Sequence, residues 1–462
     1  MVTGVWGKSS RRRPGGNALL GAALLLLLAA CEEQDGAPAF DTPLDLLPGS
    51  AHTTWIWEAP FPEDAPFFLL PPVPPRLRFA KEGALSLVRV RNRGGSADAP
   101  IGGFDFGGKQ ANEEVLAELQ GQVYRDLRFG MVSDLILLRG QLKADDVGGP
   151  GLSRQAWFVK TELGLKLLLP AQDKGNLRLL LDPRRAPLVT RWTQRIPRRF
   201  GSLLGFRSFL SLGLGSPGAG KLLAYAPLVR EPEGLPARLR SIPRALADRF
   251  QKSKASWLLL GLDLPAFLEE AQAGLSTSND PMQGGAMDFL MGRLATVLGP
   301  FADPRVRASL GDFVAFATME ELGGKMPRDP SRLLFVLGLK DAKAFEAALT
   351  PFADQSGRGA RVFRLRQKGE GAWVLSLLGF RFDLGIHQGI ALLSSSRTRD
   401  LAALVLGEEG EPSAKELETP SAPWREILLR GRLHLRDGRK YRLELGRVGS
   451  GLGASIIEAK KR

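Results

Sequence analysis

Alternating apolar and polar positions recur through the first part of the chain and predict strands. Leu77 and Phe79 alternate with Arg76 and Arg78, Lys81-Glu82-Gly83 turns, and Leu85, Leu87 and Val88 continue towards Arg91. Leu163, Leu165, Leu167 and Leu169 alternate ahead of a Gly/Asn-containing loop, and Leu177, Leu179 and Leu181 return, as in a long hairpin. A helix is expected near 112–120, with Asn112 as its N-cap and Val115, Leu116 and Leu119 on one face. The proline-dense run from Pro60 to Pro75 carries Phe67, Phe68, Leu69 and Leu70 and reads as a packed extended arm.

The last hairpin permits a register argument. A two-residue Asp437-Gly438 loop would pair Leu435 with Lys440 and Leu433 with Arg442, apolar against charged. A three-residue loop, Arg436-Asp437-Gly438, pairs Leu433 with Tyr441 and Arg430 with Glu444. It also places glycine at the left-handed position of a type I turn with a bulge. The second register is the expected one, and it sets His434 on the polar face opposite Lys440.

Two strand-to-helix junctions look alike. Trp257-Leu-Leu-Leu-Gly-Leu-Asp263 leads towards Phe267 and Ala271, and Leu333-Leu-Phe-Val-Leu-Gly-Leu-Lys-Asp341 leads towards Phe345 and Leu349. In each, an apolar run ends at Gly-Leu, an aspartate caps the helix, and a phenylalanine follows four residues later. Arg178-Leu-Leu-Leu-Asp182 is a degenerate copy, and Ile390-Ala-Leu-Leu-Ser-Ser-Ser with a helix near 399–406 is a related unit. The expected fold class is α+β: largely antiparallel sheets with helices packed on one face, built from weak strand–Gly–x–Asp–helix repeats.

The stretch Gly311-Asp-Phe-Val-Ala-Phe-Ala317, the run from Arg332 to Leu349 and the Gly389-Ile-Ala-Leu-Leu-Ser-Ser-Ser strand together resemble an uncharacterised family of bacterial envelope proteins. Its members carry a domain of unknown function made of strand–Gly–x–Asp–helix units. The resemblance spans about 255–405, roughly a third of the chain. It implies an α+β architecture and an envelope location, and it carries over no catalytic residue.

The first thirty residues have the zones of an export signal. Lys8, Arg11, Arg12 and Arg13 precede an apolar run from Ala18 to Ala30, too short to span a bilayer with comfort. The run ends Leu28-Ala29-Ala30-Cys31, and Glu32-Glu33-Gln34-Asp35 follows at once. This tetrapeptide resembles the lipobox of bacterial lipoproteins, which implies cleavage that leaves Cys31 as the new N-terminus, a diacylglyceryl thioether on it with acyl chains such as palmitate, and a membrane anchor. Cys31 is the sole cysteine. Glu32 rather than aspartate follows it, which favours the outer membrane over the inner.

On this reading the chain divides into a lipoprotein signal peptide (1–30), a tether (31–52), an N-terminal β-rich α+β domain (53–200), a basic Gly/Pro-rich connection (201–254) and a C-terminal α+β domain (255–462). A hydrophobic content of 44% fits a folded chain with ample core. With its cysteine on lipid the chain forms no internal disulfide. His52, His387 and His434 stand far apart, so neither a metal site nor a cofactor is expected.

Tempting motifs fail on chemistry. Gly213-Leu-Gly-Ser-Pro-Gly-Ala-Gly-Lys221 has P-loop spacing, but Leu222 stands where a magnesium-binding hydroxyl is needed, and Pro227, Pro232 and Pro236 follow instead of a helix. A glycine-rich loop is expected there. No G-x-S-x-G or S-x-x-K occurs, and no catalytic residue is assigned.

Charge gives the functional lead. The net formal charge is +14, yet residues 178–254 alone hold sixteen Lys/Arg against four acids. Within them Val189, Trp192 and Ile196 mark one face of a short helix. Arg184, Arg185, Arg191, Arg195, Arg198 and Arg199 surround it as candidate contacts to an anionic surface. The expected function is a non-enzymatic envelope lipoprotein with a basic face for anionic lipid, lipopolysaccharide, cell-wall polymer or a partner protein. An export signal argues against nucleic acid. A carrier of lipid or apolar ligand is the alternative, and a hydrolase stands behind both.

Overall fold

The computed structural model describes residues 40–59, 69–92, 95–122, 124, 126–141, 151–169, 177–182, 203–218, 221–276, 303–320, 332–353, 363–377, 380–387, 389–407, 424–435 and 437–459. The first half runs β1 (Ala51–Glu58), β2 (Glu82–Asn92), β3 (Gly95–Asp105), α1 (Lys109–Gln120), β4 (Arg128–Val132), β5 (Leu135–Arg139), α2 (Ala156–Leu168), β6 (Leu177–Leu181), β7 (Leu212–Gly218) and β8 (Lys221–Pro227). Helices α3 (Leu235–Arg238) and α4 (Arg244–Lys252) connect it to the second half. That half runs β9 (Ser256–Gly261), α5 (Leu264–Ser276), α6 (Pro304–Ser309), β10 (Leu310–Thr318), β11 (Leu333–Leu339) and α7 (Ala342–Leu349). It continues with β12 (Phe363–Gly369), β13 (Ala372–Leu377), β14 (Phe380–His387), β15 (Ile390–Ser394), α8 (Arg399–Leu406), β16 (Glu426–His434), β17 (Lys440–Val448) and β18 (Gly451–Ala459).

Among the described residues all eighteen strands join one sheet, and every pairing is antiparallel. From one edge to the other the order is β4-β5-β3-β2-β1-β6-β7-β8-β18-β17-β16-β9-β10-β11-β15-β14-β13-β12. Outward from the β8–β18 contact the two halves have the same topology. The sequence β8-β7-β6-β1-β2-β3-β5-β4 on one side matches β18-β17-β16-β9-β10-β11-β15-β14 on the other. Strands β12 and β13 are an addition to the second half. Helices α1 and α7 occupy corresponding connections, as do α2 and α8. One strand topology therefore occurs twice in tandem.

The seam joins equivalent strands. β8 and β18 pair without a shift from Gly451–Pro227 to Ile457–Lys221, centred on Ala454 opposite Ala224. Equivalent antiparallel neighbours define a pseudo-two-fold axis normal to the sheet, the geometry of an isologous dimer interface within one chain. Helix α2 lies over this seam. Leu165, Leu168, Leu223, Tyr225 and Val448 form one buried cluster there, drawn from both halves. A Cβ on Gly164 would overlap the Tyr225 ring, and one on Gly213 would come within 2.6 Å of Leu165, so glycine permits the close approach of α2.

Helices cover both faces of the sheet rather than one. On β6, Leu177, Leu179 and Leu181 point to the core shared with Val115 and Leu119 of α1, while Leu180 points to the core shared with Phe158 of α2. In the second half α8 joins the core of Trp257 and Leu259, and α7 joins that of Trp373 and Leu375. Strands in the middle of so wide a sheet are apolar on both sides, and each side needs its own cover.

Several sequence readings meet the structure directly. The hairpin register is the three-residue one: Leu433 faces Tyr441, Arg430 faces Glu444, and Gly438 has φ 80°. Asp263 and Asp341 each accept a hydrogen bond from a backbone N–H of the following helix. The arm read at 60–75 buries Leu69 and Val73, where described, in the core around α1.

Others need correction. The leucines at 163, 165, 167 and 169 lie in or at the end of helix α2, not in a hairpin strand. Phe158, Thr161, Leu165 and Leu168 form its buried stripe, and Leu163 and Leu167 are exposed. Residues 75–79 form a 3₁₀ turn, and β2 runs straight through Gly83. Asn112 sits inside α1, where its side chain accepts from the Phe106 N–H and donates to Asp105 and to the Asp134 carbonyl. Where described, Gly213 to Lys221 supplies parts of β7 and β8, and Gly213 and Gly215 are strand positions packed beneath α2. Part of the span read as tether is packed: Pro43–Leu46 forms a 3₁₀ turn, Leu47 is buried, and His52 lies within β1. The span read as a connection, 201–254, contributes β7, β8, α3 and α4.

Candidate functional site

The polar face of the β16–β17 pair is a ladder of charged rungs. Arg430 faces Glu444, Arg432 faces Arg442, and His434 faces Lys440. The bottom rung is buried and neutralised. The Glu444 side chain is 0% exposed and accepts from Arg430 Nε at 3.1 Å, Arg442 Nη2 at 2.8 Å and Trp424 Nε1 at 3.0 Å. Above it the rungs carry no carboxylate. Arg442 shares the Glu444 carboxylate with Arg430, so the Arg432–Arg442 rung is tied to the one below it.

Helix α4 builds the wall beside this ladder. Leu246, Ala247 and Phe250 bury its inner face, and Phe250 stacks on Trp257 of β9 with ring centroids 5.5 Å apart. The chain then turns at Ser253, whose hydroxyl donates to the Phe250 carbonyl at 2.7 Å. Arg432 Nη1 donates to the Ser253 carbonyl at 3.3 Å, and the His434 N–H donates to Ser256 Oγ at 2.9 Å, which fixes β16 against this turn.

Between wall and ladder lies a cleft of about 770 Å³. Its lining includes Lys252, Lys254, Arg432, Arg439, Lys440 and Arg442, with His434 and Tyr441, and no Asp or Glu among the described residues. Arg439 bonds Asp437 through Nε at 2.6 Å and sits 5.9 Å from the Tyr441 ring centroid. The Arg439 hydrogen bond holds the Asp437 carboxyl below its ordinary range. Lys252, Lys254 and Lys440 form no ion pair among the described residues. Such a lining offers donors and positive charge, which suit an anion.

The other sequence candidates stand elsewhere. Cys31 and Arg184, Arg185, Arg191, Trp192, Arg195, Arg198 and Arg199 lie outside the described residues. His52 is buried, with Nε2 3.2 Å from Asp98 and Nδ1 2.9 Å from Thr53 Oγ1. That chain of bonds has the order of a catalytic triad, and Thr53 is itself buried. His387 is exposed at the end of β14.

Lys252 and Lys254 belong to the basic stretch that composition singles out, whereas Lys440 and Arg442 enter the sequence reading only through the hairpin register and Arg432 not at all. The signal was present, because the register that pairs Arg430 with Glu444 also sets Arg432 against Arg442. Among the described residues no group of three His, Cys, Asp or Glu could hold a metal ion, and no helix is long and apolar enough to cross a membrane.

No family model, curated protein or solved structure matches the chain.

Proposed function

We propose that the chain is a lipoprotein of the bacterial cell envelope, held to a membrane by lipid on Cys31, that binds an anionic envelope component in the cleft between α4 and the β16–β17 ladder. The function is binding and not catalysis. The observation that supports the reading is the cleft lining, which brings Lys252, Lys254 and Lys440 together with Arg432, Arg439 and Arg442 and has no Asp or Glu among the described residues. An anionic ligand that binds this lining stabilises the folded chain by mass action.

Anchoring rests on the lipobox resemblance at Leu28-Ala29-Ala30-Cys31. Glu32 after the cysteine favours the outer membrane. The capped junctions at Asp263 and Asp341 are, in this reading, the strand–Gly–x–Asp–helix units that resemble the envelope family, and they support the same location. The basic segment from Arg184 to Arg199 adds charge to the same protein.

Vesicle co-sedimentation of the Cys31→Ser chain tests the binding. Vesicles containing phosphatidylglycerol should retain it at low salt and release it at high salt, and phosphatidylcholine vesicles should not retain it. Equal retention by both kinds would overturn the reading. Labelled palmitate should enter the wild-type chain and not Cys31→Ser.

A further inference from the structure

Resting on the anion-binding reading of the cleft, we infer that the anionic component is the surface of a lipid bilayer. The chain lies on it through one side of the sheet, with Leu163 and Leu167 of α2 entering the headgroup layer beside the cleft lysines. Phe158, Thr161, Leu165 and Leu168 bury one side of α2, and Leu163 and Leu167 stand on the opposite side, each 58% exposed. Four residues apart, they form one apolar ridge that points away from the sheet. The exposed Lys160 and Lys166 flank it. The one acid of the helix, Glu162, bonds Lys166 at 3.0 Å and Arg178 at 3.2 Å, so it adds no free negative charge. Leucines raised between lysines are the chemistry of a helix that rests in a membrane interface. A polymer or a soluble anion would answer the lysines and leave the leucines in water, whereas a bilayer takes both.

Helix and cleft share a side of the sheet. Lys221 of β8 stands opposite Ile457 of β18, and Ile457 opposite Arg442. Arg442 stands opposite Arg432, and Arg432 opposite Trp257, on which Phe250 of α4 stacks. Residues opposite one another in a sheet point to the same side, as do residues two apart on a strand. Leu223 and Tyr225, two and four positions beyond Lys221, pack under α2 with Leu165 and Leu168. Only two strand spacings, about 10 Å, separate β8 from β17. The chain also enters the fold on this side. Leu47 packs in one cluster with Phe158 of α2, and its carbonyl accepts from the Leu152 N–H at 3.0 Å just before the helix begins. The nine residues from Cys31 to Phe40 reach at most about 30 Å, and the thirteen residues of α2 span about 20 Å. A lipid on Cys31 therefore tethers the chain beside α2.

Cys31→Ser removes the sole cysteine, so Leu163→Cys or Phe79→Cys in that chain gives one site for an environment-sensitive fluorophore. Phe79 is 71% exposed on the α1 side, where Leu77 and Ala80 enter the core. With phosphatidylglycerol vesicles at low salt, the label in Leu163→Cys should shift to shorter wavelength and be quenched by spin-labelled lipid. The label in Phe79→Cys should stay in water, and phosphatidylcholine vesicles should move neither. In the unlabelled Cys31→Ser chain, Leu163→Gln with Leu167→Gln should weaken retention on phosphatidylglycerol by about tenfold or more, the partition of two leucine side chains. A urea midpoint close to that of Cys31→Ser shows this variant folded. Retention with the label at 163 still in water, or undiminished in the glutamine variant, overturns the inference and leaves the anion-binding reading standing. Retention with no preference for anionic vesicles overturns both. A label shift that needs no vesicles and grows with protein concentration assigns the ridge to a second copy of the chain and overturns the inference.

Discussion

Arg432 of β16 stands directly opposite Arg442 of β17, while the rung beneath pairs Arg430 with Glu444. Glu444 also accepts from Arg442, so one buried carboxylate joins the two rungs.

Removing one cation from the upper rungs should stabilise the ligand-free protein. Lys440 is exposed, so Lys440→Gln should raise stability at low salt by about 0.2–1 kcal/mol. The gain should shrink as salt screens the cluster. Urea denaturation at roughly 20 mM and roughly 200 mM salt reads both effects. A variant less stable than wild type at low salt contradicts the like-charge account.

The bottom rung behaves oppositely. Glu444→Leu leaves Arg430, whose side chain is 8% exposed, buried without its carboxylate. Breaking a buried pair from one side costs about 3–5 kcal/mol. Replacing both, Arg430→Met with Glu444→Leu, should recover most of that loss in the same denaturation assay.

Gly164 of α2 has no room for a side chain against Tyr225. Gly164→Val should destabilise by about 1–3 kcal/mol through overpacking against Tyr225, although valine ordinarily suits a helix better than glycine. Adding Tyr225→Leu should restore part of the loss. Thermal unfolding of the single and double variants reads the coupling, and additive losses would show that the two residues do not meet.

His52 gives stability a pH dependence. Burial pulls its pKa below the ordinary 6.5, against the opposing pull of Asp98. The unfolded chain therefore takes up the proton more readily than the folded one, and the contribution is present above about pH 6.5 and lost as pH falls below it towards the folded value. His52→Gln should flatten the urea midpoint between about pH 5 and pH 7. An unchanged profile would assign the dependence to other groups.

Local features were legible in the sequence and distant ones were not. The C-terminal register followed from loop geometry and neighbouring pairs, and the caps at Asp263 and Asp341 followed from their spacing. Leucine at alternate positions misled at α2, because leucine serves helix and strand alike and only the stripe of Phe158, Thr161, Leu165 and Leu168 decides between them. The repeated topology was hidden, since it lies in the order of strands and not in repeated residues, and long-range pairs such as β1–β6, β3–β5 and β8–β18 carry it. The cleft joins Lys252 to His434 across nearly the whole second half, a proximity that no window of sequence contains.

Two basic regions compete for the anionic surface, the cleft and the segment from Arg184 to Arg199, and charge reversal separates them. Co-sedimentation with phosphatidylglycerol vesicles should be measured for Cys31→Ser carrying Lys252→Glu with Lys440→Glu, and for Cys31→Ser carrying Arg191→Glu with Arg195→Glu. The account predicts that reversal in the cleft weakens retention by about tenfold or more, at about 1 kcal/mol for each cation lost, and that reversal in the segment leaves most of it. Full retention after reversal in the cleft would contradict it.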